Sequence, residues 1–522
     1  MVPTLRTISS ALILGLSAPA FAQDGTPDPS FGSAGIVRFG IAGSDGLQGR
    51  DIAVTATGQV LALATLDMNG YRHMALCRFQ PGGLIDPAFG EGGVLHVGPD
   101  NMDVDAAGFV LMPDGRITMT ASVANDDQHG ILVARLGTNG LLDNDFGTNG
   151  TTLVWPTFGR SYVAGDITLV ADGEVVVGGS CSTDDGDTQA LLMRFKPNGS
   201  LDLTFGTDGL ALHGLGEMGG GWFEERIHGV TYDAASNTIW ATGECVTPNA
   251  PGQRAYKLKT DALGGAAIFQ GPYFGWGGGP SYATDLALDP SGRVVIIGTS
   301  GSGQISYVQC DEDGGVEHDG SAWFADLGYP DSEGHAVAVD WNGRILLAGT
   351  VIGPDGERHY ALERMVDDCE PDAEFGNDGQ IVTPVGMDGW AEACAIALQP
   401  NGAILLLGTA HSSGKEELGL VRYLAPLGVG LSPDLDRAAA LGIFPNPATD
   451  LFSLRFEGDG SPAHIELVDA WGRVVVQSSR NGGDTQGHVV HALSLPSGTV
   501  PGQYVVRLTD DRGVRTGRVI VL

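Results

Sequence analysis

Apolar and polar residues alternate with a period of two along almost the whole chain, and the helical period of 3.6 is nearly absent. Asp51-Ile52-Ala53-Val54, a turn at Thr57-Gly58 and Val60-Leu61-Ala62-Leu63 read as two strands of a hairpin. The turn recurs at Asp114-Gly115, Asp172-Gly173, Ser236-Asn237, Ser291-Gly292, Asn342-Gly343 and Asn401-Gly402, seven copies in all. Asp-Gly and Asn-Gly predict type I′ turns, which need positive φ at both central residues. Each unit adds a third strand, such as His73-Met74-Ala75-Leu76-Cys77-Arg78-Phe79, and a short fourth, such as Val94-Leu95-His96-Val97.

Between the third and fourth strands stands a phrase, Asp-x-x-Phe-Gly-x-x-Gly, with its phenylalanine at Phe31, Phe89, Phe146, Phe205 and Phe375. The gaps are 58, 57, 59 and 170, and the last leaves room for two decayed copies. Four antiparallel strands in roughly 57 residues, seven times over, predict an all-β, seven-bladed β-propeller over 23–427. The seventh unit runs to Leu420-Val421-Arg422-Tyr423 and lacks a fourth strand, while Ile36-Val37-Arg38-Phe39 is a spare one. This N-terminal strand is expected to complete the last blade and close the ring. In the phrase, the aspartate suits a turn cap, the phenylalanine a plug between blades and the glycines positive φ. A calcium loop is the competing reading, but one recurring acidic residue falls short of the six or so oxygens calcium needs.

Past a linker at 428–441 the repeat is lost. Leu451 to Phe456, His464 to Val468, Val474 to Ser478, Tyr504 to Leu508 and Val519 to Leu522 read as strands of a small immunoglobulin-like β-sandwich over 442–522. Residues 1–22 read as a signal peptide, with Arg6, the apolar run Ala11 to Leu16 and the cleavage pattern Ala20-Phe21-Ala22. No later run is long enough to span a bilayer as a helix.

Composition narrows the partners. The formal charge of −35 falls on residues 23–441, with 20 basic against 55 acidic residues, while 442–522 is nearly balanced. Such a surface repels phosphates and argues against nucleic acid. The six cysteines sit at register positions that keep most pairs beyond the 7 Å or so that a disulfide allows, so mostly buried, unpaired thiols are expected.

Residues 28–424 resemble the delta-60 repeat, a bacterial β-propeller family without a single assigned chemistry, most specifically at Leu84-Ile85-Asp86-Pro87-Ala88-Phe89-Gly90. The match is weak over 255–330, where Phe269 and Trp323 are the stand-ins for the missing phenylalanines. Ile443-Phe444-Pro445-Asn446-Pro447, Val468-Asp469-Ala470-Trp471-Gly472-Arg473 and Gly502-Gln503-Tyr504-Val505-Val506-Arg507 resemble the type A C-terminal sorting domain of the bacterial type IX secretion system. That resemblance implies the type IX machinery as a partner through 442–522, and a secreted or outer-surface protein.

Chemistry leaves fewer marks. Gly-x-Ser-x-Gly, His-Glu-x-x-His, phosphate-loop and Cys-x-x-Cys motifs are absent, and the twelve histidines lack metal-ligand spacing, so no metal residues are assigned. The loops entering each first strand carry candidate ligand-binding residues: Trp222, Trp276, Tyr282, Tyr329 and Trp390, with Asp51, Asp166 and Asp285 at equivalent positions and Arg50, His228 and His335 nearby. Aromatic platforms beside carboxylates suit neutral sugars or peptide side chains. The same aspartates could instead cap turns, and the aromatics could cover blade ends. No cofactor is expected, although Asp126-Asp127 and Asp184-Asp185-Gly186-Asp187 have the composition of calcium loops or of a solvated acidic rim. The expectation is a monomeric, non-enzymatic binding or adhesion module for a carbohydrate, peptide or surface partner. An extracellular hydrolase or lyase using the channel carboxylates, and a purely structural surface component, are the alternatives.

Overall fold

The computed structural model describes residues 24–425, apart from short stretches at 100, 126–127, 157–159, 183–186, 215–223, 248–249, 266, 273–280, 290, 323, 341, 367–368 and 400, together with the strands of 442–521. The signal segment, the 428–441 linker, Trp222, Trp276, Trp323, Asp126-Asp127 and Asp184 to Gly186 lie outside the described residues. Strands dominate throughout, and no described helix is long and apolar enough to cross a membrane.

Up to residue 423 the described strands form seven four-stranded antiparallel units, two of which are joined by one parallel bridge, Thr188 to Glu224. Six units are continuous in sequence, at 46–97, 103–154, 161–213, 224–272, 282–321 and 331–383. In the seventh, Ala391–Leu398, Ile404–Ser412 and Lys415–Tyr423 receive Ile36–Phe39 as their fourth strand, with Ile36 opposite Val421 and Phe39 opposite Leu418. The two middle strands of a unit are apolar on both faces because neighbouring units cover both sides. Val60–Met68 is buried over its first seven residues, whereas Gly46–Val54 alternates. Fourth strands such as Val94–Val97 are only four residues long and half exposed.

The hairpin turns depart from expectation. Gly58 donates to the Thr55 carbonyl at 2.9 Å and Thr55 to the Gln59 carbonyl at 2.9 Å, with positive φ at Gly58 alone. Gly115, Gly292, Gly343 and Gly402 repeat that pattern. These are longer loops closing on one left-handed glycine; only Asp172-Gly173 has positive φ at both residues. The glycine signal is real, but it marks a bulge position rather than the centre of a two-residue turn.

The Phe-Gly phrase is structural and has a third member. In each of the five copies the phenylalanine is buried and its N–H closes a turn on the aspartate carbonyl. The aspartate's Oδ1 accepts the N–H two residues on. Its Oδ2 meets an arginine near the end of a third strand: Arg422 with Asp28, Arg78 with Asp86, Arg135 with Asp143, Arg194 with Asp202 and Arg364 with Asp372. Each guanidinium lies over the phenylalanine ring, 4.1 to 5.1 Å from its centroid. Burial opposes ionisation of Asp202, yet Thr204 and Arg194 outweigh it and hold the carboxyl at about 2. The phrase also joins units, since Gly90 donates to the Asn139 carbonyl and Arg78 to the Thr138 carbonyl of the following one.

Over 255–330 the stand-ins differ from expectation. Phe269 does not occupy the turn; it opens the fourth strand Phe269–Pro272, opposite Lys259. Lys259 takes the arginine's place in the third strand and reaches the Glu312 carbonyl. All six cysteines are free, four of them buried.

The C-terminal strands form a three-stranded sheet (Gly442–Phe444, Leu451–Gly458, Gly487–Ser494) and a four-stranded one (Val474–Arg480, Ala463–Val468, Gly502–Asp510, Gly513–Val521). Phe452, Leu454, Ile465, Leu467, Val506 and Val519 share one core between them. The strands Gly442–Phe444 and Gly487–Ser494 add to those read from the sequence.

Candidate functional site

Every first strand breaks register at one place, where an extra residue is inserted: after Gly49, Ala106, Ala164, Ile227, Ala283, Gly334 and Ala393. The inserted residues are Arg50, Ala107, Gly165, His228, Thr284, His335 and Cys394, one from each of the seven units, and all seven line a single cavity of about 120 Å³. All six charged candidates read from the sequence, Arg50, Asp51, Asp166, Asp285, His228 and His335, line it.

The residues following the bulges run Asp51, Gly108, Asp166, Gly229, Asp285, Ala336 and Ala395, so carboxylates alternate with small residues through the first six units. The reason is steric and electrostatic. Each aspartate reaches into the next unit, where Phe109 donates to Asp51 Oδ2 at 3.0 Å, Val230 to Asp166 Oδ2 at 2.9 Å and Val337 to Asp285 Oδ2 at 2.9 Å. Asp51 and Asp285 also accept the N–H of their own following residue, at 2.7 Å. A Cβ on Gly108 would lie 2.6 Å from Asp166 Oδ1 of the following unit, so the position between two aspartates has little room for a side chain.

Burial makes these carboxyls hard to ionise. It pushes Asp51 up to about 6 and Asp285 up to about 7, against their backbone bonds. Asp166 is raised well above the ordinary carboxylate range by burial and by the charges of Asp51 and Asp285. Burial likewise lowers His228 and His335, although Glu244 beside His228, and Glu392 and Glu333 beside His335, pull the other way.

A second recurring contact, not singled out from the sequence, supports five of the seven bulges. A hydroxyl at the same position of the second strand caps the N–H just before the next unit's bulge: Thr65 with Ala106, Ser122 with Ala164, Thr299 with Gly334, Thr350 with Ala393 and Thr409 with Gly49. The signal was a Thr or Ser recurring after five strand residues.

The described aromatic candidates, Trp390, Tyr329 and Tyr282, lie apart from the cavity lining. Trp390 stacks on His411 with centroids 4.0 Å apart and planes 26° apart, and Arg358 stands 6.0 Å from the Trp390 centroid. Tyr329 meets His359 edge-on at 5.9 Å. Tyr282 opens its strand and is half-buried. These residues are at the end where first strands begin and second strands finish, opposite the Phe-Gly turns.

Residues 171–205 match the family described as a domain of unknown function (DUF5122) β-propeller, and residues 442–522 match the secretion system C-terminal sorting domain. No curated protein matches the chain. Similar solved structures include the β-propeller domain of Cps50 (Swd1) from Myceliophteria thermophila, at 10% identity over 74% of this chain and 98% of that one, with a TM-score of 0.41. The β-propeller domain of the trilobed protease from Pyrococcus furiosus gives 10% identity, 74% and 99% coverage and a TM-score of 0.39. PorZ, a surface component of the type IX secretion system of Porphyromonas gingivalis, gives 12% identity, 95% and 87% coverage and a TM-score of 0.23. The chain thus carries a β-propeller repeat of the DUF5122 family and, at 442–522, a type IX sorting domain that directs it to the cell surface or beyond.

Proposed function

We propose that the protein is a monomeric, non-enzymatic binding module whose seven four-stranded units stand as the blades of one propeller over 23–427. Ile36–Phe39 closes the ring, 428–441 is a linker, and 442–522 is an immunoglobulin-like sandwich engaged by the type IX machinery after residues 1–22 have directed export to the periplasm. The ligand, a carbohydrate, a peptide or a surface partner, binds at the end where Trp390, Tyr329 and Arg358 stand.

The observation that carries the non-enzymatic reading is the use made of Asp51 and Asp285. Both oxygens of each accept backbone N–H bonds, one from the neighbouring unit, so these carboxyls serve as fastenings. A hydrolase would need such a group turned toward substrate, whereas these two are buried and turned toward backbone N–H groups. The test is a glycan and peptide array probed with the mature chain, followed by product analysis on every hit. Retention without turnover, weakened at least about tenfold by Trp390→Ala, supports the reading. Turnover abolished by Asp166→Asn would replace it with the hydrolase.

A further inference from the structure

Beside the cavity, Glu333, His335 and Glu392 converge. One carboxylate oxygen from each glutamate and one ring nitrogen of His335 lie within 4.8 Å of one another. Glu333 and His335 come from the strand Asp331–Val339, whose bulge falls at His335, and Glu392 from the first strand of the next unit, Ala391–Leu398. The convergence therefore depends on two units meeting and on the inserted residue that turns His335 inward. Linear spacing could not reveal it.

One observation points to an absent occupant, and a second to a rival for its place. His335 Nε2 is buried and has no hydrogen-bond partner among the described residues, although carboxylate oxygens of Glu392 and Glu333 stand 3.7 and 4.0 Å away. That spacing is too long for hydrogen bonds and only a few tenths of an ångström beyond the edge, about 3.3 to 3.6 Å, of a tetrahedron of ligands placed 2.0 to 2.2 Å from a shared centre. The second observation is Arg358. Its guanidinium pairs with Glu333 and stands 3.6 Å from Glu392, supplying a positive charge here, while its own Nε is buried with no hydrogen-bond partner among the described residues. The Trp390 face, 6.0 Å from the guanidinium, offers it another position.

We propose that Glu333, His335 and Glu392 bind one first-row divalent cation, zinc by preference, and that Arg358 is the internal cation competing for the same carboxylates. Two carboxylates and an imidazole are a nitrogen and oxygen donor set of the kind zinc accepts, and three protein ligands leave a position for water or an exogenous group. The site lies at the end assigned to ligand binding, but its occupancy is measured without any other ligand.

The experiment is equilibrium dialysis of the chelator-stripped full chain against zinc chloride, with metal counted per chain. The expected result is one zinc per chain, weakened at least about tenfold by His335→Ala and by Glu392→Gln. Arg358→Gln should tighten binding by about tenfold, a gain that misfolding cannot imitate. Equal zinc uptake by the parent chain and a His335→Ala/Glu392→Gln double variant would overturn the proposal. So would an Arg358→Gln chain that binds zinc no more tightly than the parent.

Discussion

Arg422 and Asp28 are 394 residues apart in the chain and meet at 2.9 Å, guanidinium Nε to carboxylate Oδ2. Arg422 also donates to the Pro81 carbonyl at 2.5 Å and lies over Phe31, 4.6 Å from its centroid. The last third strand thus grips the first copy of the Phe-Gly phrase and the unit that follows it, as Arg78 does for Asp86 eight residues away.

Removing either partner leaves a buried, uncompensated charge. Arg422→Ala and Asp28→Ala should each destabilise by about 3–5 kcal/mol. A double-mutant cycle should give a coupling of at least about 1 kcal/mol, read from denaturant midpoints. Additive effects would mean that the N-terminal strand is not held by this pair.

The cavity carboxyls predict an unusual pH response. For a carboxyl raised by folding, the stabilisation is fully present below the ordinary value of 3.8 and is lost as pH climbs through the folded value, about 6 for Asp51 and about 7 for Asp285. Glu363, raised by burial to about 7, acts in the same direction. His228 and His335 run the other way, losing stability as pH falls below the ordinary 6.5. The melting temperature should fall between pH 6.5, above which unfolded histidine is mostly neutral, and about pH 7.5, and Asp285→Asn should flatten that fall whatever it does to the absolute value. A parent chain whose melting temperature rises over this interval would contradict the assignment.

Close approach between units sets a third expectation. A Cβ on Gly165 would lie 2.0 Å from the Ile227 carbonyl oxygen, whereas one on Gly82 would meet nothing nearer than 3.9 Å. Gly165→Ala should cost about 3 kcal/mol or more, and Gly82→Ala should stay within about 1 kcal/mol. Similar melting temperatures for the two variants would show that the interface relaxes freely.

The sorting domain makes a cellular prediction. A chain lacking residues 442–522 should accumulate behind the outer membrane, measured by fractionation and immunoblot. Its normal appearance outside the cell would remove the export role.

Much of this was legible because repetition repeats a physical requirement. Phe31, Phe89, Phe146, Phe205 and Phe375 mark buried plugs, and the spare strand Ile36-Val37-Arg38-Phe39 was visible from its position after the first of them. The clamp arginines were also in plain view, since Arg78, Arg135, Arg194 and Arg364 each precede their aspartate by eight residues. They were passed over because an arginine ending a strand reads as solvated. The cavity was half legible. Asp51, Asp166 and Asp285 stood out as equivalent, but the bulges beside them insert residues as different as Arg50, Gly165 and Cys394, and no residue type signals them. His335 stood out beside the first strands, while its convergence with Glu333 and Glu392 belongs to the packing of two units.

The account divides the molecule into an end fastened by arginine clamps and an end left for a ligand. Hydrogen exchange on the full chain, with and without the tightest array hit, tests this most directly. The account predicts slowed exchange at 329–335, 357–360 and 388–392, with the Phe-Gly turns at 86–93 and 143–150 unchanged. Protection confined to those turns would contradict it.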